Sequence, residues 1–447
     1  MKKYSLLIFI FLFSLIGMSF LFAPFDGDVV WNYGFSYAIS KGEIPYKDFN
    51  MILTPLYPMI MAIFLKGISH NILTYYIVNS IVISLLFSFL WKLYKENAWL
   101  LIILLIFPMP IVILPTYNLF LVFLIVLLFY LEKEEKSDYG IGLVLACLFL
   151  TKQSVGAFTI LPSLYYWKKD KKKILKRGIA FILPILLFTI YLIITKSFYP
   201  FIDLCFLGLF DFSQSNGKTG NLFFILSILL FFILLKKIKK EKENIENYYV
   251  LSFFSIVIPL FDLPHFLYLV FVYSLLFIDK IHLKKKEIIA NTILFSLTYS
   301  LLFFSFFAGW DNISYPHHYH NFEYRFLYNN HGEFIIRDKV NHYIKSHKES
   351  RVVLLSSEAY FYKITNESRI DEFDLLNKGN HGYHGTKKMI QKIKEMDPDT
   401  TFILSMDEYY AIDKSGRQQI NKEIMKYVIS HGEKIEEMDC FDVYKLK

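Results

Sequence analysis

The chain has 447 residues, 55% of them hydrophobic, with a mean hydropathy of +0.39 and a formal charge of +8. A soluble protein of this size has no core large enough to hide that much apolar surface, so the lipid bilayer is the natural solvent. The positive balance is not a nucleic-acid signature and no nucleic-acid partner is expected, because the lysines sit in short loops between apolar runs.

The N-terminus reads Met1-Lys2-Lys3 and then an apolar run to Ala23. Leu21 is bulky where a signal peptidase wants a small residue, and the run is long, so the segment is read as a signal-anchor span. Further spans are expected near 70–91, 98–115, 117–131, 139–151, 155–167, 174–195, 220–235, 248–261, 264–279 and 288–308, about eleven in all with the first at 5–23. The basic clusters set the orientation. Lys2, Lys92, Lys133, Lys168 through Arg177, Lys236 through Lys242 and Lys280 through Lys286 collect on one side, the cytoplasmic one, with the N-terminus inside and the C-terminus outside.

That charge pattern decides one ambiguous stretch. Residues 139–167 read as one long helix would throw every later cluster to the wrong face, so a hairpin of two short arms is expected. Each arm has 13 residues, about 20 Å at 1.5 Å per residue, short of a roughly 30 Å hydrocarbon core. The Lys152-Gln153 turn should therefore sit recessed inside a protein cavity. Residues 54–66 are apolar but short and carry Pro55 and Pro58, so they should lie along the membrane or re-enter it.

After Ala308 the composition turns polar. Strands are expected at 351–356, 400–405, 434–438 and 442–445, with helices near 337–347, 386–396 and 416–430. The fold class is thus a polytopic α-helical membrane protein, residues 1–308, followed by a small extracytoplasmic α/β domain, residues 309–447. Cys147, Cys205 and Cys440 share no close spacing and point to neither a zinc site nor a disulfide framework.

The first outer loop, 24–54, carries the most chemistry. It reads Pro24-Phe25-Asp26-Gly27-Asp28 and then VVWNYGFSYAISKGEIPYKDFN. Residues 29–41 suit an amphipathic helix opened by Asp28, ended by Gly42, and anchored at the interface by Trp31 and Tyr33. On spacing alone, Asp28 is a helix cap in a solvated loop. The order Asp28, Tyr37-Ala38, Gly42, Pro45-Tyr46, Asp48-Phe49, Pro55-Leu56 resembles the first extracytoplasmic loop of the GT-C glycosyltransferases, closest to the protein-mannosyltransferase and aminoarabinose-transferase-like group. Val29 stands where that group usually has a Glu, which removes a second acid.

The resemblance implies a glycosyltransferase that moves a sugar from a polyprenyl-phosphate donor to an extracytoplasmic acceptor, a cell-envelope glycan, lipid or protein, with inversion at the anomeric carbon. A loop aspartate at water–membrane depth would act as base, with Asp28 first, and Asp48 and Asp26 behind it. Lys152 and Gln153 would receive the leaving phosphate, as an ionisable residue within a span is a site hypothesis by default. Tyr46, Tyr117, Asn118, Asp262 and His265 would line the pocket, although Asp262 and His265 equally read as a helix cap and an interfacial histidine. The stretch 196–219, with Asp203, Asp211 and Lys218, should be a mobile loop over the acceptor site.

Two motifs fit that picture less well. His317, His318 and His320 suggest a metal but have no regular spacing, and read as a polar linker. Some GT-C enzymes use a divalent metal and others none, and Asp26 and Asp28 leave that open. Residues 379–385 (GNHGYHG) read as a turn with Thr386 capping the next helix, not as a phosphate loop. The rival readings are a transporter or flippase for a lipid-linked precursor and a non-catalytic membrane scaffold. Transporters show paired halves with broken helices, and no such halves are visible.

Overall fold

A computed structural model describes residues 3–16, 18, 27–98, 100–101, 114–167, 170–217, 221–278, 331–347, 351–411 and 420–447. Asp26, the 317–320 histidines, most of the expected 98–115 span and all of the 288–308 span lie outside the described residues. Two of the described helices, Ile72–Tyr94 and Lys171–Ile194, are long and apolar enough to cross a bilayer, at 23 and 24 residues. Lys171–Ile194 turns Leu175, Ile179, Leu183, Leu186 and Ile190 outward, and Leu222–Lys240 does the same with Ile225, Leu229 and Phe232. Apolar faces of that extent need lipid against them.

The basic helix ends gather at one end of the bundle. Arg177 forms a fork with Glu132, at 2.6 and 3.0 Å, and bonds Asp138 at 3.0 Å. Tyr249 donates to the same Glu132 at 2.7 Å. Lys92 lies over the Tyr130 ring and Lys133 over Tyr94. These contacts tie the C-termini of Ile72–Tyr94 and Tyr117–Lys133 to the N-termini of Asp138–Thr151, Lys171–Ile194 and Ile245–Phe253.

The expected hairpin takes shape at Lys152. Helix Asp138–Thr151 stops, Lys152 is extended at φ −149°, ψ 111°, and helix Gln153–Ile160 starts back. The reversal is so sharp that a Cβ on Gly156 would collide with the backbone of Phe149. The returning arm changes to 3-10 winding over Leu161–Trp167, which rises about 2.0 Å per residue instead of about 1.5 Å. Ser163 thereby comes back to Tyr249, hydroxyl to hydroxyl at 3.4 Å, at the basic end. A short arm reaches that far because its second half is stretched.

Helix Leu56–Gly67 begins and ends at the other end of the bundle. The Thr54 hydroxyl donates to Phe149 O beside the hairpin tip at 2.8 Å, and the next helix starts at Ile72. The Tyr57 hydroxyl, fully buried, lies 2.8 Å from the Tyr75 hydroxyl and 2.9 Å from Asn79 Oδ1.

Three expectations are corrected. Helix Gly27–Ser40 does not lie on a membrane surface. It is enclosed: Tyr33, Phe35, Tyr37 and Ala38 are all buried, Tyr33 donates to His70 O at 2.5 Å, and Trp31 donates to Ser357 O at 3.4 Å. Within the 196–219 stretch, residues 198–216 form no loose loop but three consecutive helical segments, Phe198–Ile202, Asp203–Leu207 and Gly208–Asn216, with Cys205 buried among them, while 218 and 219 lie outside the described residues. The helix of the 248–261 stretch ends at Phe253 and gives way to a 3-10 turn, Phe254–Val257.

The C-terminal sheet has strands β1 (Val352–Leu355), β2 (Thr401–Ser405), β3 (Gly432–Met438) and β4 (Phe441–Leu446) in the order β1-β2-β4-β3. β1 and β2 are parallel and the other pairs antiparallel. Val353, Leu355, Phe402 and Leu404 join a core with Met389, Ile393, Ile424 and Val428, while Leu354, Ile403 and Val443 belong to the large cluster that runs into the helical body. Burial on both faces explains why β1 and β2 are continuously apolar and do not alternate. Helix Ala359–Thr365 was not anticipated, and Tyr360 from it sits against Gly34, where a Cβ would strike the ring. Helix Gly385–Lys394 starts one residue earlier than expected, capped by left-handed His384, with the Thr386 hydroxyl instead accepting from Asn421.

Gly156→Val should cost about 1–3 kcal/mol, because two methyl groups must displace the Phe149 backbone. The check is the thermal midpoint of the detergent-purified protein, and an unchanged midpoint would contradict the tight hairpin.

Candidate active site

At the end of the bundle opposite the basic cluster, four separated stretches converge on Lys152. The hairpin break brings its side chain inside, where it is only 7% exposed. Its Nζ donates to Ile256 O, in the Phe254–Val257 turn, at 3.4 Å and lies 5.6 Å from the centroid of the Tyr117 ring. The carboxylates of Asp262 and Asp28 both act on it electrostatically, and both act on Tyr117 as well. A buried ammonium needs such compensation, since removing it from water otherwise costs several kcal/mol.

Each neighbour is positioned by a helix end. Asp28 falls inside the first turn of Gly27–Ser40 and not at its cap, and its carbonyl accepts from the Asn32 amide at 2.7 Å. Asn32 Oδ1 accepts in turn from Tyr117 N at 3.4 Å, which joins this helix to the start of Tyr117–Lys133. Asp262 caps Leu263–Ser274: its Oδ1 accepts from His265 N at 3.1 Å and faces His265 Nδ1 at 2.7 Å. His265 is buried, at 3% exposure, and so is not interfacial. The cap reading of Asp262 is the one this geometry shows. Asn118 is also buried, with Oδ1 lacking a partner among the described residues.

Other expected site residues sit to one side. Gln153 spends its amide hydrogens on Ile52 O at 2.9 Å and Cys205 O at 2.8 Å, stitching the outer loop to the Asp203–Leu207 turn. Tyr46 adopts a left-handed φ of 69°, is buried, and donates to Leu53 O at 2.7 Å. Asp48 closes its own turn by accepting from Ile44 N at 2.8 Å and pairs with Arg369 of the sheet domain at 3.1 Å.

Asn32 and Glu43 were not singled out from sequence. Asn32 repeats at i+4 from Asp28, a helical spacing that was available. Glu43 gave no local signal, because its partners come from far along the chain. It accepts from Ile370 N at 3.2 Å, and burial pushes its carboxyl up to about 7, against the opposing pull of that N–H and of Arg369. Among the described residues no group of three or more His, Cys, Asp or Glu side chains gathers as metal ligands.

Neither the family models nor the curated proteins contain a match to this chain. One solved structure does match. ArnT from Cupriavidus metallidurans, crystallised bound to undecaprenyl phosphate, superposes with a TM-score of 0.59 at 12% identity, over 99% of this chain and 96% of that one. The chain therefore has the fold of that structure. The fold includes the C-terminal domain, since the superposition spans nearly the whole of both chains. The GT-C resemblance read from the first outer loop is therefore matched by the architecture.

Glu43 yields a pH test. Its folded pKa lies above the 4.5 of a free glutamate, so its contribution is full below about pH 4.5 and is lost as pH rises through about 7. The thermal midpoint of the wild type should fall from about pH 5 to about pH 8, and Glu43→Gln should flatten that fall. Parallel curves for the two proteins would remove Glu43 as its source.

Proposed function

We propose that this protein is a GT-C glycosyltransferase that moves a sugar from a polyprenyl-phosphate donor to a hydroxyl acceptor on the extracytoplasmic side. The observation that carries the reading is the burial of Lys152 against the Tyr117 ring, within electrostatic reach of Asp262 and Asp28. The fold that holds it is one in which ArnT binds undecaprenyl phosphate. Lysines crowd the opposite end, so the charge bias turns the Lys152 end, and with it the sheet domain, away from the cytoplasm.

In this mechanism the donor phosphate lies against Lys152 and its sugar faces Asp28. The acceptor O–H gives its proton to the Asp28 carboxylate as its oxygen bonds to the anomeric carbon. The bond from that carbon to the phosphate oxygen breaks on the opposite side, which inverts the centre. The electron pair leaves with the polyprenyl phosphate, whose growing charge Lys152 neutralises in a site of low dielectric. Asp262, itself held by His265, would balance the Lys152 charge, and both would line the sugar site. Asp48 ties the loop to the sheet domain and is the second choice as base.

Asp28→Asn should lower transfer by about 10²–10⁴-fold, the usual worth of a positioned base, with insertion and folding intact. Transfer can be followed by mass spectrometry of envelope glycans from cells carrying either form, and wild-type glycans in the variant would exclude Asp28 as base. Lys152→Ala should weaken binding of undecaprenyl phosphate, measured by native mass spectrometry in detergent. Equal occupancy in variant and wild type would count against the phosphate role.

A further inference from the structure

Two helices with outward apolar faces bracket the Phe198–Asn216 segment. Lys171–Ile194 starts at the basic end of the bundle, where Arg177 meets Glu132 and Asp138, so Ile194 lies at the opposite end. Its outward residues run from Leu175 to Ile194, about 29 Å at 1.5 Å per residue. That matches a hydrocarbon core of roughly 30 Å and puts the far membrane boundary near Ile194. Leu222–Lys240 ends in Lys237, Lys239 and Lys240. It therefore starts at the same boundary, with Leu222 exposed.

The chain does not run on past Ile194. Lys196 takes a left-handed φ of 59°, and Ser197 N donates to Leu192 O at 2.9 Å, which closes the helix. The segment then folds back on the body. The Phe201 ring packs on Phe188 and on Tyr46, with centroids 5.4 and 5.1 Å apart. At the other end Gly217 stands close to Pro259 O, and Asn221, the cap of Leu222–Lys240, donates to Phe261 O at 2.8 Å. Both ends are thus fixed at one end of the bundle, and the segment lies across it.

Within the segment the sides are sorted. Phe201, Leu204, Cys205 and Phe212 are buried. Asp203, Gly208 and Asn216 meet the sheet domain at Lys388, Gly382 and Lys378 O. Tyr199, Leu207 and Phe210 remain outside both contacts, at 84%, 45% and 64% exposure. Their spacing of i, i+8 and i+11 puts them on one helical face. That face turns polar at Ser213 and Gln214, both exposed. Single exposed apolar residues need no account, but a stripe that begins five residues after the outward Ile194 continues a lipid-facing surface. Aromatic residues and leucine on one face of a helix are what the bilayer interface accepts.

We infer that the Phe198–Asn216 segment is seated in the bilayer interface of the leaflet opposite the basic helix ends, with Tyr199, Leu207 and Phe210 among phospholipid acyl chains and Ser213 and Gln214 in the headgroup water. A second copy of the chain is the weaker occupant, because the stripe lies level with the lipid boundary that Ile194 and Leu222 mark. The same segment holds the sheet domain through Asp203 and Asn216, so one element joins the lipid surface to the roof over the Asp28 loop.

The test uses the full chain in nanodiscs of phosphatidylethanolamine and phosphatidylglycerol. Nitroxide labels are attached one at a time at Tyr199→Cys, Leu207→Cys, Phe210→Cys, Ser213→Cys and Gln214→Cys. Cys147→Ala and Cys440→Ser form the background, with the buried Cys205 left in place. Labels at Ile190→Cys and Lys394→Cys set the lipid and water limits. Power-saturation EPR then compares collisions with oxygen, which concentrates in lipid, and with a neutral nickel chelate, which stays in water. At 199, 207 and 210 oxygen access should exceed nickel access severalfold, and at 213 and 214 the order should reverse. Nickel access at 199 and 210 equal to that at 214 overturns the inference. So does low access by both reagents at 199 and 210, which would mean that protein covers the face. All five labelled positions are exposed, so these variants should keep the wild-type thermal midpoint. The readout uses neither donor nor acceptor, and failure of the transfer reading leaves it untouched.

Discussion

A lysine ammonium held out of water governs how one end of this molecule is assembled. Lys152 gives up its hydration where the chain turns inside the helical body, and the replacement partners come from stretches far apart in sequence: the carbonyl of Ile256, the ring of Tyr117, and the charges of Asp28 and Asp262. Each of those groups stands at a helix start or in a 3-10 turn, where backbone and side chain are free to point inward. None of them helps unless the hairpin is sharp enough to place Lys152 among them. Gly156 allows that sharpness by letting the returning arm lie directly on Phe149. At the far end of the same hairpin Arg177 holds Glu132 and Asp138 together, so the arms are fixed at both ends.

The outer loop is held with equal care from above. Its helix is covered by Tyr360 at Gly34, its turn is tied to Arg369 through Asp48, and Glu43 and Asn50 bond the backbone of the sheet domain. The sheet domain is thus a roof over the loop that carries Asp28 and not a separate module on a tether. The Phe198–Asn216 helices complete that roof. Asp203 pairs with Lys388 at 2.7 Å, and Asn216 donates to Lys378 O at 2.9 Å. A base placed on such a loop gains the rigidity that positioning demands.

Much of this was legible in the residues. Hydropathy named the bilayer, lysine bias separated the two ends, and the need to keep that bias intact split 139–167 into a hairpin with Lys152 at its tip. The order of Asp28, Gly42, Pro45-Tyr46 and Pro55-Leu56 pointed to the fold, and the four strands of the C-terminal domain were visible as apolar runs. These features are local or periodic: they depend on what a helix, a strand or a membrane requires of neighbouring residues.

What stayed hidden depends on partners brought from a distance. Tyr33 read as an interfacial anchor because aromatic residues favour that depth, but it packs on Tyr75 and bonds the His70 carbonyl inside the body. Residues 196–219 read as mobile because their polar side chains suit water, yet their partners are Gly382, Lys388 and Lys378, more than a hundred positions away. Glu43 is an ordinary loop acid until Ile370 and Arg369 enclose it. The sequence by itself marked the apolar helices, the basic end of the bundle and the hairpin, since hydrophobicity, charge and helical period act over short stretches. Only the tertiary structure decided which acids surround Lys152, because burial and electrostatic coupling depend on distance in space and not on separation along the chain.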